Sequence, residues 1–232
     1  MNTEAQIKTD YQCQHCEKAF MKESTLAVHL CTQKRRFLEQ NEVGVQLGLQ
    51  AYLRFYELTQ GSAKLKTFKD FSVSPYYTAF VKFGRYCVSI RAVNTPRFIE
   101  WVVRQNKKID HWCHDKVYTE YLQQYLRDEN IQDALARAIE HALTWSEDTG
   151  YPAHDYLRHA NANAVCFAIS SGRISPWVLY NSAAGNELLD RLNPEQVSMI
   201  WSIIDTDFWS KKFQDYSADT EYTKEILKQA GW

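Results

Sequence analysis

The chain has 232 residues, of which 45% are hydrophobic and 14% aromatic, enough for one or two packed domains. No uncharged apolar run approaches the ~20 residues that span a bilayer, and residues 1–12 are polar, which argues against membrane partners and secretion. Of the six cysteines, three lie within residues 13–31 and the others stand apart, so they form no disulfide framework. We therefore expect a cytoplasmic protein.

The net charge of -1 conceals an asymmetry along the chain. Residues 1–110 carry 17 Lys and Arg against 10 Asp and Glu, and residues 111–232 carry 10 against 18, giving net charges of +7 and -8. A basic part of this size is typical of proteins that bind a polyanion. The alternative is that the two parts attract each other.

The N-terminal segment holds a metal-binding motif. Cys13 and Cys16 are followed by His29 in the spacing C-x2-C-x12-H, with Phe20 and Leu26 between the ligand pairs. This motif resembles the two-cysteine, two-histidine zinc finger, in which a hairpin supplies two thiolates and a short helix supplies imidazole. The resemblance covers about residues 10–36, and it implies a zinc-binding ββα module too small to be stable without metal.

The fourth ligand departs from that family, because no second histidine follows His29 after three to five residues. Cys31 is the nearest donor, but on a continuous helix it would point to another side, so the helix must break or tighten at Leu30. The predicted ligands are Cys13, Cys16, His29 and Cys31. A three-ligand site completed by water, His15 or a distant residue such as Cys113 is the alternative.

Cations on the same segment suggest contact with nucleic acid. The family positions that read bases map onto Lys22, Thr25 and Val28, a poor set for sequence recognition. Weakly specific, salt-sensitive binding to phosphates is expected instead. The predicted phosphate-binding residues are Lys18, Lys22, Lys34, Arg35 and Arg36. A protein-docking or purely stabilising module is the alternative.

A second basic stretch follows in the segment 61–75, which is predicted to be an exposed loop because it combines lysines with Gly, Ser and Thr. Three lysines of this segment are also predicted to bind nucleic acid: Lys64, Lys66 and Lys69. Aromatic residues interleave with cations further on, a pattern suited to unpaired nucleic acid. The spacing of three between Tyr77, Phe80 and Phe83 instead favours the buried face of a helix.

Helices are predicted to dominate the rest, because eight Gly and five Pro are fewer than average. Apolar spacing predicts a helix over 42–59, and Asn94 before Thr95 and Pro96 predicts the start of another. Further helices are expected at 115–127, 130–146, from Asn193 onward and at roughly 219–230.

No glycine-rich nucleotide loop, nucleophile elbow or HExxH pair is present, so whether the chain is an enzyme stays open. The polar run 151–163 is the best place for a catalytic site. The weak catalytic candidates are His154, Asp155, His159 and Arg173. The turn at 170–177 offers hydroxyls, amides and an arginine to a phosphate, or is ordinary helix punctuation.

The expected fold is mainly α: a small N-terminal ββα zinc finger followed by an all-helical domain. Residues 1–36 are predicted as the zinc-finger-like module with its basic tail and 37–232 as the helical domain, with a weaker boundary near 108. The chain also resembles uncharacterised proteins of large tailed bacteriophages, on stretches such as FMKESTLAVHLCTQKRR and SGRISPWVLYN. That resemblance implies DNA as the setting and the host cytoplasm as the location.

The leading functional hypothesis is a DNA-associated protein that uses the zinc finger and the basic surface as its anchor. One alternative is an enzyme that modifies or processes nucleic acid, with its site in 151–177. The other is an interaction module that binds a polymerase or another replication, transcription or host protein.

Overall fold

The structure, a computed structural model, describes residues 11–61 and 66–232. These residues form fifteen α-helices and one two-stranded sheet near the N-terminus, which confirms the predicted fold class. The chain divides into two compact units, Met1–Val117 and Tyr118–Trp232. The first unit contains 18 Lys and Arg against 11 Asp and Glu and the second 9 against 17, so the units carry +7 and -8. Within the described ranges, no helix is both long and apolar enough to cross a membrane.

The described part of the first unit starts with two short antiparallel strands, β1 (Tyr11–Gln12) and β2 (Ala19–Phe20), in which Tyr11 pairs with Phe20. Its helices are α1 (Glu23–Ala27), α2 (Thr32–Leu38), α3 (Val43–Gln60), α4 (Phe68–Val73), α5 (Tyr77–Ser89), α6 (Thr95–Arg104) and the start of α7 (Asp115–Asp128). A 3-10 turn, Ile109–His111, precedes α7.

Helices α3 and α5 cross very closely at the centre of the first unit. Gly44 and Gly48 on α3 face Gly84 on α5, where a Cβ atom would collide with the Gly44 carbonyl oxygen. Only a residue without a side chain permits this approach of two backbones. The predicted buried face of α5 is confirmed, since little surface remains on Tyr77, Phe80 and Phe83.

The prediction of an exposed loop over 61–75 is wrong for residues 68–73, which form α4. The Thr67 hydroxyl accepts a hydrogen bond from the Asp70 amide, and the Asp70 carboxylate accepts one from the Thr67 amide. This reciprocal capping box starts the helix, and Phe71 is then fully buried. Thr67, one of the hydroxyl-bearing residues that suggested a loop, is therefore the N-cap of a helix.

The second unit, which is described throughout, consists of helices and their connections. They are the remainder of α7, α8 (Ile131–Thr149), α9 (Tyr156–His159), α10 (Ala162–Ser170), α11 (Pro176–Asn181), α12 (Ala183–Arg191), α13 (Pro194–Ile204), α14 (Thr206–Asp215) and α15 (Ser217–Gln229). Trp177, Trp209 and Ala134 form a buried apolar cluster at its centre.

The predicted helices correspond to observed ones. The ranges 42–59, 115–127, 130–146 and 219–230 match α3, α7, α8 and α15. Asn94 caps α6 by accepting a hydrogen bond from the Arg97 amide, and Asn193 caps α13 through a capping box. These starts were readable because a capping side chain acts within a few residues of its own position.

A buried ion pair links α8 to the turn before α11. The Glu129 carboxylate accepts hydrogen bonds from Arg137 and from the Ser175 hydroxyl, each at 2.6 Å. Arg137 also donates to the Gly172 carbonyl oxygen at 2.6 Å. Burial raises the pKa of Glu129 although Arg137 and Ser175 act in the opposite direction. Burying the Glu129 carboxylate therefore costs free energy, which its contacts with Arg137 and Ser175 offset in part.

Candidate metal centre and basic surface

Four metal-competent side chains meet in the N-terminal segment 11–38, which we call the metal module. The β1–β2 hairpin presents two thiols, and the segment between α1 and α2 presents an imidazole and a third thiol. The ligand atoms all lie within 4.8 Å of one another and belong to Cys13, Cys16, His29 and Cys31. These are the four predicted ligands, and their arrangement could hold a metal ion.

Two short separations define the centre. The Sγ atoms of Cys13 and Cys31 are 3.9 Å apart, and Cys16 Sγ lies 3.3 Å from Nε2 of His29. The Phe20 ring packs against the His29 ring at a centroid distance of 4.7 Å, which helps to fix the imidazole with Nε2 toward the thiols. Cys13 is buried and the other three are half-buried, so the centre lies just below the surface.

Cys31 reaches the centre because the chain leaves the helical path after α1. Helix α1 ends at Ala27, and residues 29–31 are not helical, which confirms the predicted break around Leu30. Cys31 then caps α2, and its Sγ accepts a hydrogen bond from the Lys34 amide at 3.3 Å. His15, one of the alternative ligands, instead packs its ring against Phe37 at 4.9 Å.

The thiols of the centre influence one another. A hydrogen bond from the His15 amide lowers the pKa of the Cys13 thiol, against the opposing effect of burial. For Cys16 the Lys18 amide lowers the pKa, but burial and the neighbouring Cys31 and Cys13 thiols raise it overall. Crowded thiols resist losing several protons together, and a bound cation would offset the accumulated negative charge.

The basic residues of the metal module fall into two groups. Lys18, Lys22 and Arg35 are exposed. Lys34 and Arg36 are half-buried and make contacts within the first unit: Lys34 donates to the His29 carbonyl oxygen at 3.2 Å, and the Arg36 guanidinium lies 4.1 Å from the Tyr77 ring centroid. The exposed group is therefore better placed to meet a ligand.

The second predicted basic stretch is partly described. Lys66 is half-buried, with its Nζ 5.0 Å from the centroid of the Tyr56 ring, and Lys69 is exposed on α4. Lys64 lies outside the described residues. Of the two described lysines of this stretch, one is therefore packed against an aromatic ring and the other is exposed to solvent.

The positions predicted to read bases are exposed in and on either side of a very short helix. Lys22, Thr25 and Val28 all face solvent, and Val28 is 82% exposed. Helix α1 has five residues, a rise of about 7.5 Å, so it presents little more than one turn. Met21, two residues before α1, is 94% exposed, and the apolar side chains of Met21 and Val28 cannot hydrogen-bond to base edges.

The weak catalytic candidates occupy several places in the second unit. Nε2 of His154 lies 3.9 Å from a carboxylate oxygen of Asp155, while the His159 ring stacks on Tyr151 at 5.5 Å. Arg173 lies in the turn between α10 and α11. In the described ranges, the one group of three or more side chains able to share a metal ion is that of the metal module.

The turn at 170–177 is helix punctuation, and the amides of residues 171–174 are bonded within the chain. The amides of Gly172 and Arg173 donate to carbonyl oxygens in the last turn of α10, and Gly172 has φ 75, the pattern of a Schellman motif. The amides on either side bond in the same way, and the Ser175 hydroxyl donates to Glu129. The turn therefore closes one helix and caps the next.

Sequence reasoning missed a polar cavity of about 440 Å³ in the second unit. It lies where the start of α8 meets α14 and α15, and its walls include Asp128, Asp219, Tyr216 and Trp177. Within the described part of the chain, the buried indole N–H of Trp177 has no hydrogen-bond acceptor. No local signal could have found this cavity, because its walls come from segments up to 94 residues apart.

Comparison with models of known protein families, with curated proteins and with solved structures found no match to this chain. The likenesses to zinc fingers and to bacteriophage proteins therefore stay predictions from the sequence. The function must be inferred from the geometry of the metal centre and from the charge of the unit that carries it.

Proposed function

We propose that this chain is a nucleic-acid-associated protein, with DNA as the expected ligand, whose metal module is held together by a structural zinc ion. The observation that carries the proposal is the convergence of the three thiols and His29 in a unit of charge +7. Four protein ligands would close the coordination sphere, as in structural zinc sites, and leave no position for a reacting water.

Two of the separations between ligand atoms suit zinc. With Zn–S bonds of about 2.3 Å and Zn–N bonds of about 2.0–2.1 Å, a tetrahedral site has edges of about 3.8 Å between sulfurs and about 3.5 Å between sulfur and nitrogen. The Cys13–Cys31 and Cys16–His29 separations are 3.9 and 3.3 Å. Both agree with these edges to within a few tenths of an ångström.

The metal module also needs such a crosslink. Its strands have two residues each, and neither α1 nor α2 contains a buried residue. A segment that buries so little apolar surface cannot offset the conformational entropy lost on folding. A structural zinc ion supplies that stabilisation in the smallest natural modules.

Nucleic acid is the favoured ligand because the first unit has a net charge of +7 and its metal module exposes Lys18, Lys22 and Arg35. Several acidic residues of the unit pair with arginines outside the metal module: Arg85 contacts Glu42, and Arg54 contacts both Glu57 and Glu100. The exposed cations of the metal module are therefore not neutralised by these carboxylates. Phosphate binding by such side chains is independent of sequence and weakens steeply with salt.

The test is binding of a labelled DNA duplex by zinc-loaded protein over a salt series. Charge reversal to Glu at Lys18, Lys22 and Arg35 should weaken binding and reduce the slope of log K against log salt by about 0.9 for each phosphate that the variant no longer neutralises. A matched control changes the same charge in the second unit by reversing Lys211, Lys224 and Lys228. Equal effects of the two triple variants would refute the assignment of the surface.

A protein partner is the second candidate function, favoured by the exposed side chains of Met21 and Val28. Exposed apolar side chains form contacts with proteins more readily than with phosphates. Replacing both with Ser should leave DNA affinity unchanged if the cations carry the function. Loss of DNA binding in that variant would assign the face of α1 to the ligand.

A further inference from the structure

Helix α2 is tied to the metal centre at three points. Cys31 accepts the Lys34 amide as the helix cap, and the Lys34 ammonium donates to the carbonyl oxygen of His29. On the other side, the Phe37 ring of α2 packs on His15, which lies between the two hairpin ligands. The position of α2 is thus set by residues that are metal ligands or their neighbours.

The same helix is attached to α4 and α5 through Arg36. Its guanidinium donates to the Ser72 carbonyl oxygen at 2.5 Å and lies 4.1 Å from the centroid of the Tyr77 ring. Tyr77 is 5% exposed, and a cation–π contact is stronger where water is excluded. Arg36 is therefore a bridge from the metal module to the helical core of the first unit.

Helix α2 has little else to hold it. It has seven residues and none of them is buried, so no apolar face fixes it to the core. A helix this short does not persist alone in water. Its ordered position must therefore come from its two sets of contacts, those with the metal centre and those of Arg36.

We propose that metal binding controls the seating of α2 on α4 and α5. With metal bound, Cys31 and His29 are fixed, the cap of α2 is fixed with them, and Arg36 is delivered to Tyr77 and Ser72. Without metal the start of α2 frays and this bridge opens. The proposal rests on the proposed metal centre, and through Arg35 on the same helix it makes nucleic-acid binding dependent on metal occupancy.

Hydrogen exchange of the full chain, measured with zinc and after zinc removal, tests the proposal. In the unmodified protein, zinc should slow exchange both in the metal module and in residues 68–80. In Arg36→Gln the zinc effect on 68–80 should disappear while the effect on the metal module remains. We expect about a tenfold change in exchange rate at α4, the size of one desolvated cation–π contact.

Arg35→Gln is the matched control, since it removes the same charge from an exposed position of the same helix. It should leave the zinc effect on 68–80 intact. Arg36→Lys keeps the charge without the planar contact and should give an intermediate effect, which keeps the test valid if Arg36→Gln fails to fold. Zinc-dependent protection of 68–80 that is equal in all three variants, or absent from the unmodified protein, would overturn the proposal.

The two proposals fail separately. If the protein binds no nucleic acid but Arg36→Gln removes the zinc effect at α4, the proposed function is wrong and the coupling stands. If zinc-loaded protein binds DNA through its exposed cations but zinc leaves 68–80 unaffected, the function stands and the coupling is wrong.

Discussion

Cys31 has two roles, and two substitutions separate them. Its Sγ lies 3.9 Å from that of Cys13 in the metal centre, and the same atom caps α2 by accepting the Lys34 amide. Serine retains a capping oxygen but not the thiolate, and alanine retains neither. Cys31→Ser therefore isolates the loss of the ligand, and the difference between the two variants isolates the cap.

The expected magnitudes follow from these roles. Structural zinc sites with four ligands bind with about 10–16 kcal/mol, so one thiolate contributes about 3 kcal/mol, roughly a hundredfold in affinity. A helix cap contributes about 1 kcal/mol. We expect zinc to bind Cys31→Ser roughly a hundredfold more weakly than the unmodified protein, and Cys31→Ala a further fivefold more weakly, because the cap forms only when the module is folded.

The assay is competition for zinc against a chromophoric chelator, supported by the absorption of the cobalt-substituted protein. The intensity of the thiolate-to-cobalt band should fall in both Cys31 variants, in keeping with loss of one of three thiolates. Cys113→Ser is the control, because Cys113 lies outside the centre. Unchanged zinc affinity in Cys31→Ser, or a loss in Cys113→Ser, would refute the assigned ligand set.

Three further predictions concern the frame around the site. Gly84→Ala forces α3 and α5 apart, because its Cβ would meet backbone atoms, and should cost about 1–3 kcal/mol in thermal unfolding; an unchanged melting temperature would contradict this. Glu129→Ala leaves Arg137 without its buried carboxylate and should cost about 3–5 kcal/mol in denaturant unfolding, whereas an effect under 1 kcal/mol (about fivefold) would place the pair in solvent. The hydrogen bond from Arg85 lowers the pKa of Glu42, so this half-exposed pair should stabilise the fold by less than about 1 kcal/mol above pH 4.5. This stabilisation should be lost as the pH falls through the lowered pKa. A loss of stability in Glu42→Gln that grows at acidic pH would contradict this.

The parts of the structure that were predictable from the sequence are local. The ligands of the metal centre were predicted from the resemblance of their spacing to a zinc finger, and the break near Leu30 from the periodicity of a helix. Both features lie within residues 13–31. Capping residues such as Asn94 likewise act on amides two or three positions away. In these cases the physical cause and its signature in the sequence lie within the same short segment.

The parts that were missed depend on contacts between distant segments. The basic side chain of Arg36 suggests phosphate binding, but its contact with Tyr77, 41 positions later in the chain, could not be predicted from the residues around it. The close crossing of α3 and α5 similarly needs Gly44 and Gly84 to meet, and nothing near either glycine specifies the other. The walls of the polar cavity come together only when α8, α14 and α15 pack.

The most direct measurement is the binding of a labelled DNA duplex, at low and at near-physiological salt, by zinc-loaded protein and by the same protein after zinc removal. We expect the loaded protein to bind with a steep salt dependence and the zinc-free protein to bind at least tenfold more weakly, since the cations of the metal module lose their fixed positions. Equal binding with and without zinc, or no binding at low salt, would contradict the proposed zinc-dependent association with nucleic acid.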